Sequence, residues 1–332
     1  MHLLRHPRAA VGSLALALAL GACGKKEAPA PEPEAPAAPE AAAEAAPTPS
    51  PSEPAETAVA PAEDAGSAEP AVDPRQNAWS VAPVAAKVKE GDRVYVLTKG
   101  RDRSMTDGKA VYQLFAHDVA GVEGELVHIA EIGGGKFTVA GNFVIHAGVE
   151  KASDLKVGDA VLAEWASSLK HAVVVGFEGP KDAPEKVKIR YTDLPESWPD
   201  DKVVATRAPR ELTRLQDGLM PGNYALARDD GRDALVLLIS RNADGGWLAQ
   251  RFGGRVTTFP ADALTAVPLA PKLKRGDKVR MPWVGMFMPG KVTKVAGTWI
   301  HAKVEGIGQK QPISAAIGQV MPESAMPKTP AP

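Results

Sequence analysis

Cysteine is almost missing: among 332 residues there is one, Cys23. Without a second thiol the chain can form neither an internal disulfide nor a cysteine-based metal cluster. Aromatic residues are sparse too, with six Trp, four Tyr and seven Phe, so a surface built from stacked rings has few residues to draw on. No apolar run approaches the ~20 residues that a membrane-crossing helix needs. Catalytic motifs are also lacking. There is no HExxH and no G-x-S-x-G, and Gly133-Gly134-Gly135-Lys136 lacks phosphate-loop spacing and reads as a hairpin. Past residue 75 the histidines are His117, His128, His146, His171 and His301. None has a carboxylate or second histidine at metal-ligand spacing. No cofactor is expected, and the sequence reads as non-enzymatic.

What is present begins with an export signal over residues 1–22. Arg5 and Arg8 give a positive start, residues 11–20 form a short apolar run, and Gly21 and Ala22 are small. The stretch Leu20-Gly21-Ala22-Cys23 resembles the bacterial lipobox. That resemblance implies that Cys23 becomes the first mature residue, carrying a diacylglyceryl thioether and an acylated amine. The partner it implies is a lipid bilayer, held stably because several chains insert. An ordinary signal peptide with a chance cysteine is the plainer alternative. Gly24, in place of Asp, resembles the outer-membrane sorting pattern, so a cell-envelope location on the outer membrane is expected. Acylation would also remove Cys23 as a nucleophile.

Residues 23–78 read as a disordered tether. From 27 to 74 there are 12 prolines, 11 acidic residues, no Lys or Arg and no aromatic. Such a composition cannot bury enough apolar surface to offset the entropy of ordering, and its like charges favour extension. The charge is therefore divided. Residues 1–26 carry +4 and residues 27–74 carry −11, so with −1 overall the remainder, 75–332, carries +6. A mildly basic body suits anionic cell-wall polymers or lipid headgroups, and equally an ordinary solvated surface; no nucleic-acid partner is expected.

Beyond Trp79 short apolar alternations are separated by Gly, Pro, Asp and Asn. The strings VKEGDRVYV (88–96), LKVGDAVLA (155–163), LMPGNYALA (219–227) and LKRGDKVRM (273–281) align without gaps, with Gly-Asp or Gly-Asn starts 67, 64 and 54 residues apart. Val94, Val161, Ala225 and Val279 share one position, and Val96, Ala163, Ala227 and Met281 lie two further on. A spacing of two puts both sets on one strand face, here the core face. Tyr95, Leu162, Leu226 and Arg280 are then expected to point the other way. KASDL (151–155), PREL (209–212), PADAL (260–264) and PISAAI (312–317) form a second recurrence, read as a short helical turn before each closing strand. The predicted fold class is all-β: tandem small five-stranded barrels, whose closure protects strand edges. The units are placed at 79–154, 155–217, 218–270 and 271–322, followed by a disordered tail, 323–332. One larger sandwich with coincidental Gly-Asp turns is the alternative.

The second unit resembles the Tudor and agenet branch of Src-homology-three-like barrels through VGDAVLAEW (157–165), HAVVV (171–175) and VKIRYTD (187–193). The fourth shares GDKVRM and FMPGKVTKV (287–295). Tudor domains commonly read methylated lysine or arginine through an aromatic cage. Residue by residue that function carries over poorly. Tyr191 and Phe287 match cage positions, whereas Leu169, Lys170, Leu194 and Pro195 replace the other expected residues. Trp165, Phe177 and Trp198 stand nearby, either as a different aromatic platform or as caps of a small core. Trp165, Tyr191, Trp198 and Phe287 are thus the candidate binding residues. The resemblance implies a non-catalytic binding or scaffolding protein with a protein or peptidoglycan ligand. A hydrolase with its site assembled between barrels is the competing class.

Overall fold

The computed structural model describes residues 73–327, apart from 100–102, 132, 150, 167, 181–182, 230 and 309–310. The expected signal, Cys23 and the tether up to residue 72 lie outside the described residues. The fold is all-β, four small barrels in tandem. Barrel 1 has β1 (Arg93–Thr98), β2 (Gln113–Glu123), β3 (Leu126–Ala130), β4 (Lys136–Ala140) and β5 (Val144–Ala147). Barrel 2 has β6 (Ala160–Trp165), β7 (Ser168–Glu178), β8 (Lys186–Tyr191), β9 (Val204–Arg207) and β10 (Leu212–Arg214). Barrel 3 has β11 (Tyr224–Asp229), β12 (Arg232–Arg241), β13 (Trp247–Arg251), β14 (Val256–Phe259) and β15 (Leu264–Ala266). Barrel 4 has β16 (Lys278–Trp283), β17 (Met286–Ala296), β18 (Trp299–Val304), β19 (Ile313–Ala316) and β20 (Met321–Pro322). In each, the first strand pairs antiparallel with the second and the fifth, and the second, third and fourth follow as a meander.

The Gly-Asp turn explains why each barrel starts where it does. The glycines at 91, 158, 222 and 276 all have positive φ, which a side chain would strain. Their N–H groups donate to Val119, Val174, Leu238 and Val292 carbonyls, and those residues donate back to the carbonyl of the next residue, Asp92, Asp159, Asn223 or Asp277. The Asp side chains accept from backbone N–H groups three residues upstream, Lys89 at 2.9 Å, Lys156 at 3.2 Å and Lys274 at 2.9 Å. Asn223 works differently: its amide donates to the Gln216 and Gly218 carbonyls at 2.7 and 2.8 Å. A β-bulge breaks the second strand of every barrel just past this bond.

Two expectations about local structure need correction. Single 3₁₀ turns precede the closing strands at Gly141–Phe143, Pro209–Glu211, Ala261–Ala263 and Ile317–Gln319. PREL and PADAL fall on them, but KASDL turns at Ala152–Asp154 in the link after β5, and PISAAI is mostly β19. The second correction concerns the ends. Residues 75–78 join barrel 1 through an Asn77–Met105 bridge, with Ala78 N–H donating to the Met105 carbonyl at 2.8 Å. Glu323–Ala325 forms a further 3₁₀ turn, with Met326 packed on the core between barrels 3 and 4.

The barrels also join one another. Phe115 of β2 pairs with Ser168 of β7, and Ala234 of β12 pairs with Met286 of β17, making two ten-stranded sheets. In both cases the third residue of one barrel's second strand meets the first residue of the next barrel's second strand. The body is therefore a duplicated pair of barrels. Tyr95, Leu162 and Leu226 point away from their own barrel cores as expected, and packing between barrels covers that face, so all three are fully buried. Tyr95 and Leu162 share a core with Leu215, Ile239, Leu248 and Val256 from the neighbouring barrel and its approach. Leu226 packs with Val267, Phe287 and Met321. Arg280, the polar member of that aligned set, keeps part of its surface in water.

Candidate binding cleft

The four barrels enclose a cleft of about 990 Å³, and each contributes to its wall. Two equivalent hairpin tips reach it. Ala166, between β6 and β7, and Val284, between β16 and β17, both have φ of 47°. Val284 is β-branched, so this left-handed conformation is a genuine outlier, costing on the order of 1–3 kcal/mol. Gly285 follows it, and a Cβ there would lie 2.5 Å from the Phe252 Cβ, so the glycine lets Phe252 rest across the hairpin. Phe252 is 68% exposed, Val284 64% and Val111 55%, three large apolar side chains from barrels 3, 4 and 1 along one cleft.

Polar groups converge deeper in. Asp193, just past β8, has a side chain only 7% exposed. Its Oδ2 accepts from the His171 backbone N–H at 3.1 Å and lies 3.7 Å from His171 Nδ1. Its Oδ1 is enclosed with no protein partner. The His171 ring stacks on Tyr224 of barrel 3 at 4.5 Å and 25°. Loss of solvent around the Tyr224 hydroxyl, reinforced by the Asp193 charge and partly opposed by a hydrogen bond to Gln319, raises its pKa and keeps it protonated. Gln250 Nε2 donates to the Tyr112 carbonyl at 2.7 Å, tying barrel 3 to barrel 1 along the same wall. The cleft therefore offers apolar area at its rim and an acceptor with spare capacity below, a combination suited to binding.

The predicted binding residues are placed otherwise. Tyr191 is buried in the core of barrel 2, where its hydroxyl donates to the Glu164 carbonyl and accepts from Arg207 at 3.0 Å. Burial raises its pKa, with Arg207 opposing. Phe287 is buried between barrels 3 and 4. Neither can form part of an exposed cage. Trp165 and Trp198 contact each other at 5.4 Å and lie partly buried against the barrel 2 core, so they cap it. None of the four lines the cleft. Sequence reasoning missed Asp193, Tyr224, Phe252 and Val284. Two signals were there to be read: Phe252 stands beside two turn glycines without an apolar neighbour in sequence, and a valine precedes a glycine at a hairpin tip.

No family model matches the chain, and no curated protein matches it. Among solved structures it is similar to the AGD34 part of Arabidopsis thaliana AGDP1, at 18% identity over 39% of this chain and 83% of that one, with a TM-score of 0.20. It is also similar to the four MBT repeats of Drosophila melanogaster Sfmbt, solved with a methylated-lysine peptide, at 8% identity over 72% of this chain and 89% of that one, with a TM-score of 0.15.

Proposed function

We propose that this chain is a lipid-anchored envelope protein that holds a segment of a partner protein in the cleft between its four barrels, without catalysis. The cleft carries this reading: exposed apolar side chains at the rim exclude water from a bound chain, and Asp193, which lines the cleft, has in Oδ1 an acceptor that no protein donor uses. A buried carboxylate oxygen left without a partner is costly, and a donor supplied by a ligand removes that cost. Peptidoglycan is the alternative ligand. The hydrolytic alternative draws on the His171–Asp193 pair, but the Tyr224 ring of barrel 3 stacks on the imidazole, which places the pair between two barrels as a structural contact.

A photo-cross-linking residue in place of Phe252, in the full chain expressed in its own cells, should capture one envelope polypeptide. The same residue in place of Val157, exposed but outside the cleft, should not capture it. Asp193→Asn, which keeps an acceptor oxygen and loses its charge, should reduce the product at position 252 about tenfold, the loss expected when a charge-assisted hydrogen bond becomes a neutral one, roughly 1–1.5 kcal/mol. Equal capture at both positions, or capture of glycan fragments only, would count against a protein ligand. Anchoring is tested separately. Cys23→Ser should move the protein from the membrane to the soluble fraction and abolish fatty-acid labelling, and a wild-type protein that takes up no label would exclude the anchor.

A further inference from the structure

We infer that the outer face of barrel 4, away from the cleft, is a separate binding surface for a linear acidic polysaccharide. Residues 271–305 hold eight Lys and Arg against Asp277 and Glu305, a net +6 that equals the net charge of the whole body. Part of this charge is placed in strand register. Lys278 of β16 lies directly opposite Lys291 of β17, and Lys291 directly opposite Lys303 of β18. All three are exposed. Like charges directly opposite across strands oppose folding, so a straight row of three is unfavourable for the barrel alone.

Nearby carboxylates do little to neutralise the row. Asp277 accepts from the Lys274 backbone N–H at 2.9 Å, closing the turn. Glu323 lies 3.6 Å from Lys278, but both side chains are more than half exposed, where such a pair is weak. Glu305 sits two residues beyond Lys303, and among the described residues no ion pair is found for Lys291 or Lys303. The Lys291 side chain extends over the opening turn, its Cε 3.9 Å from a Cβ position at Gly276, which joins the row to Lys274 and Arg275.

Barrel 2 holds the same place in the first barrel pair and shows what the fold itself requires. Its residues in the equivalent row are Ala160, Val173 and Arg190. Arg190, the one cation, is paired with Asp200 at 2.7 Å. Ala160 packs on the core shared with barrel 3, so this row is partly covered in barrel 2, whereas in barrel 4 it faces solvent; the strand pairing itself does not need three cations.

Geometry selects the kind of polyanion. The row crosses three strands, roughly 10 Å from end to end at ordinary strand spacing, which matches a single linear chain. Single-stranded nucleic acid needs aromatic faces for its bases. Trp283 and Trp299 lie toward the other ends of their strands, and Trp299 lines the cleft. A lipid surface would call for several apolar side chains beside the cations, but the exposed Val284 and Met286 are at the cleft end of the barrel, which leaves Val295 beside Lys294 as a single one. An acidic glycan needs neither.

The test measures affinity of the full chain for polygalacturonate across a salt series, with single-stranded DNA and phosphatidylglycerol vesicles in parallel. Lys278→Gln/Lys291→Gln/Lys303→Gln should weaken polygalacturonate binding at least tenfold and flatten its salt dependence, with a melting temperature at or above wild type. Lys186→Gln/Lys188→Gln, which removes two exposed charges from β8, should change binding less than threefold. Lys291→Arg should bind like wild type. Equal losses in the barrel 2 and barrel 4 variants would overturn the assignment, as would tighter binding of DNA or vesicles by the wild type. A tenfold gain in affinity on deleting residues 27–72 alone would also overturn it, by making the chain's own acidic segment the occupant.

Discussion

Leu162→Asp is expected to unfold the body, or to leave it too unstable to purify as a monomer. Leu162 is fully buried, its Cδ1 so close to Gly222 that a Cβ there would sit 2.2 Å away. Truncating a buried leucine alone costs about 2–5 kcal/mol. An aspartate adds a carboxylate to an apolar core shared with Leu215, Ile239 and Leu248, worth several kcal/mol more. The sum, on the order of 5 kcal/mol or above, rivals the whole stability of a typical domain. Arg280→Asp changes the aligned position of barrel 4 and is the control. Arg280 is partly exposed and lies on the outer face, so its loss should cost about 1 kcal/mol or less. Urea denaturation followed by tryptophan fluorescence measures both. A Leu162→Asp midpoint close to that of wild type would mean that this strand face is not packed as described.

That contrast marks where the sequence could be read and where it could not. The Gly-Asp turn, the alternation that buries Val94 with Val96 and Val161 with Ala163, and the all-β class rest on contacts between near neighbours, which leave a local pattern. Burial of the opposite strand face depends on another barrel and leaves a weaker trace. In VYVL (94–97) and AVLA (160–163) the apolar residues run on without a break, as they do in strands covered on both sides, whereas VRM (279–281) keeps a charge. The period of two places Leu162 on the opposite strand face, and only that continuity tells that this face is covered as well. Tyr191 misled. Its position in the barrel pattern is the one expected, but its hydroxyl finds Glu164 and Arg207 within barrel 2 and needs no ligand. The cleft was beyond reach of pattern reading, since Val111, Asp193, Phe252 and Val284 come from four different barrels and their approaches. No spacing connects them; only the way the two barrel pairs pack does.

Gly141→Ala should also be damaging, though less so than the Leu162 change, and for a reason of position rather than of backbone conformation. Gly141 is not among the residues with positive φ. At a tolerant site, exchanging such a glycine for alanine stabilises a protein by roughly 0.4–1 kcal/mol, because the unfolded chain loses freedom. Here the opposite sign is expected. A Cβ at Gly141 would lie 2.3 Å from the Val84 carbonyl oxygen and 2.5 Å from the Ala86 nitrogen, and both are backbone atoms that no rotamer change can move. The segment 79–88 crosses barrel 1 at this point. Asn142 Nδ2 donates to the Ala82 carbonyl at 3.3 Å, and Trp79 packs on Phe143 with ring centroids 5.9 Å apart. The same turn is fixed from the other side, where Ser240 Oγ of barrel 3 donates to the Asn142 carbonyl at 2.8 Å. Trp79 Nε1 reaches barrel 3 as well, donating to the Val256 carbonyl at 2.8 Å. Held from both directions, the turn cannot retreat, so the crossing segment must lift. The expected cost is about 3 kcal/mol, in the range found for overpacking at a constrained site. Limited proteolysis should find new cleavage within residues 79–90 before the barrels themselves unfold, and Trp79 emission should shift to the red. A variant as stable as wild type, or more stable, with no new cleavage, would show that the segment does not approach Gly141 this closely.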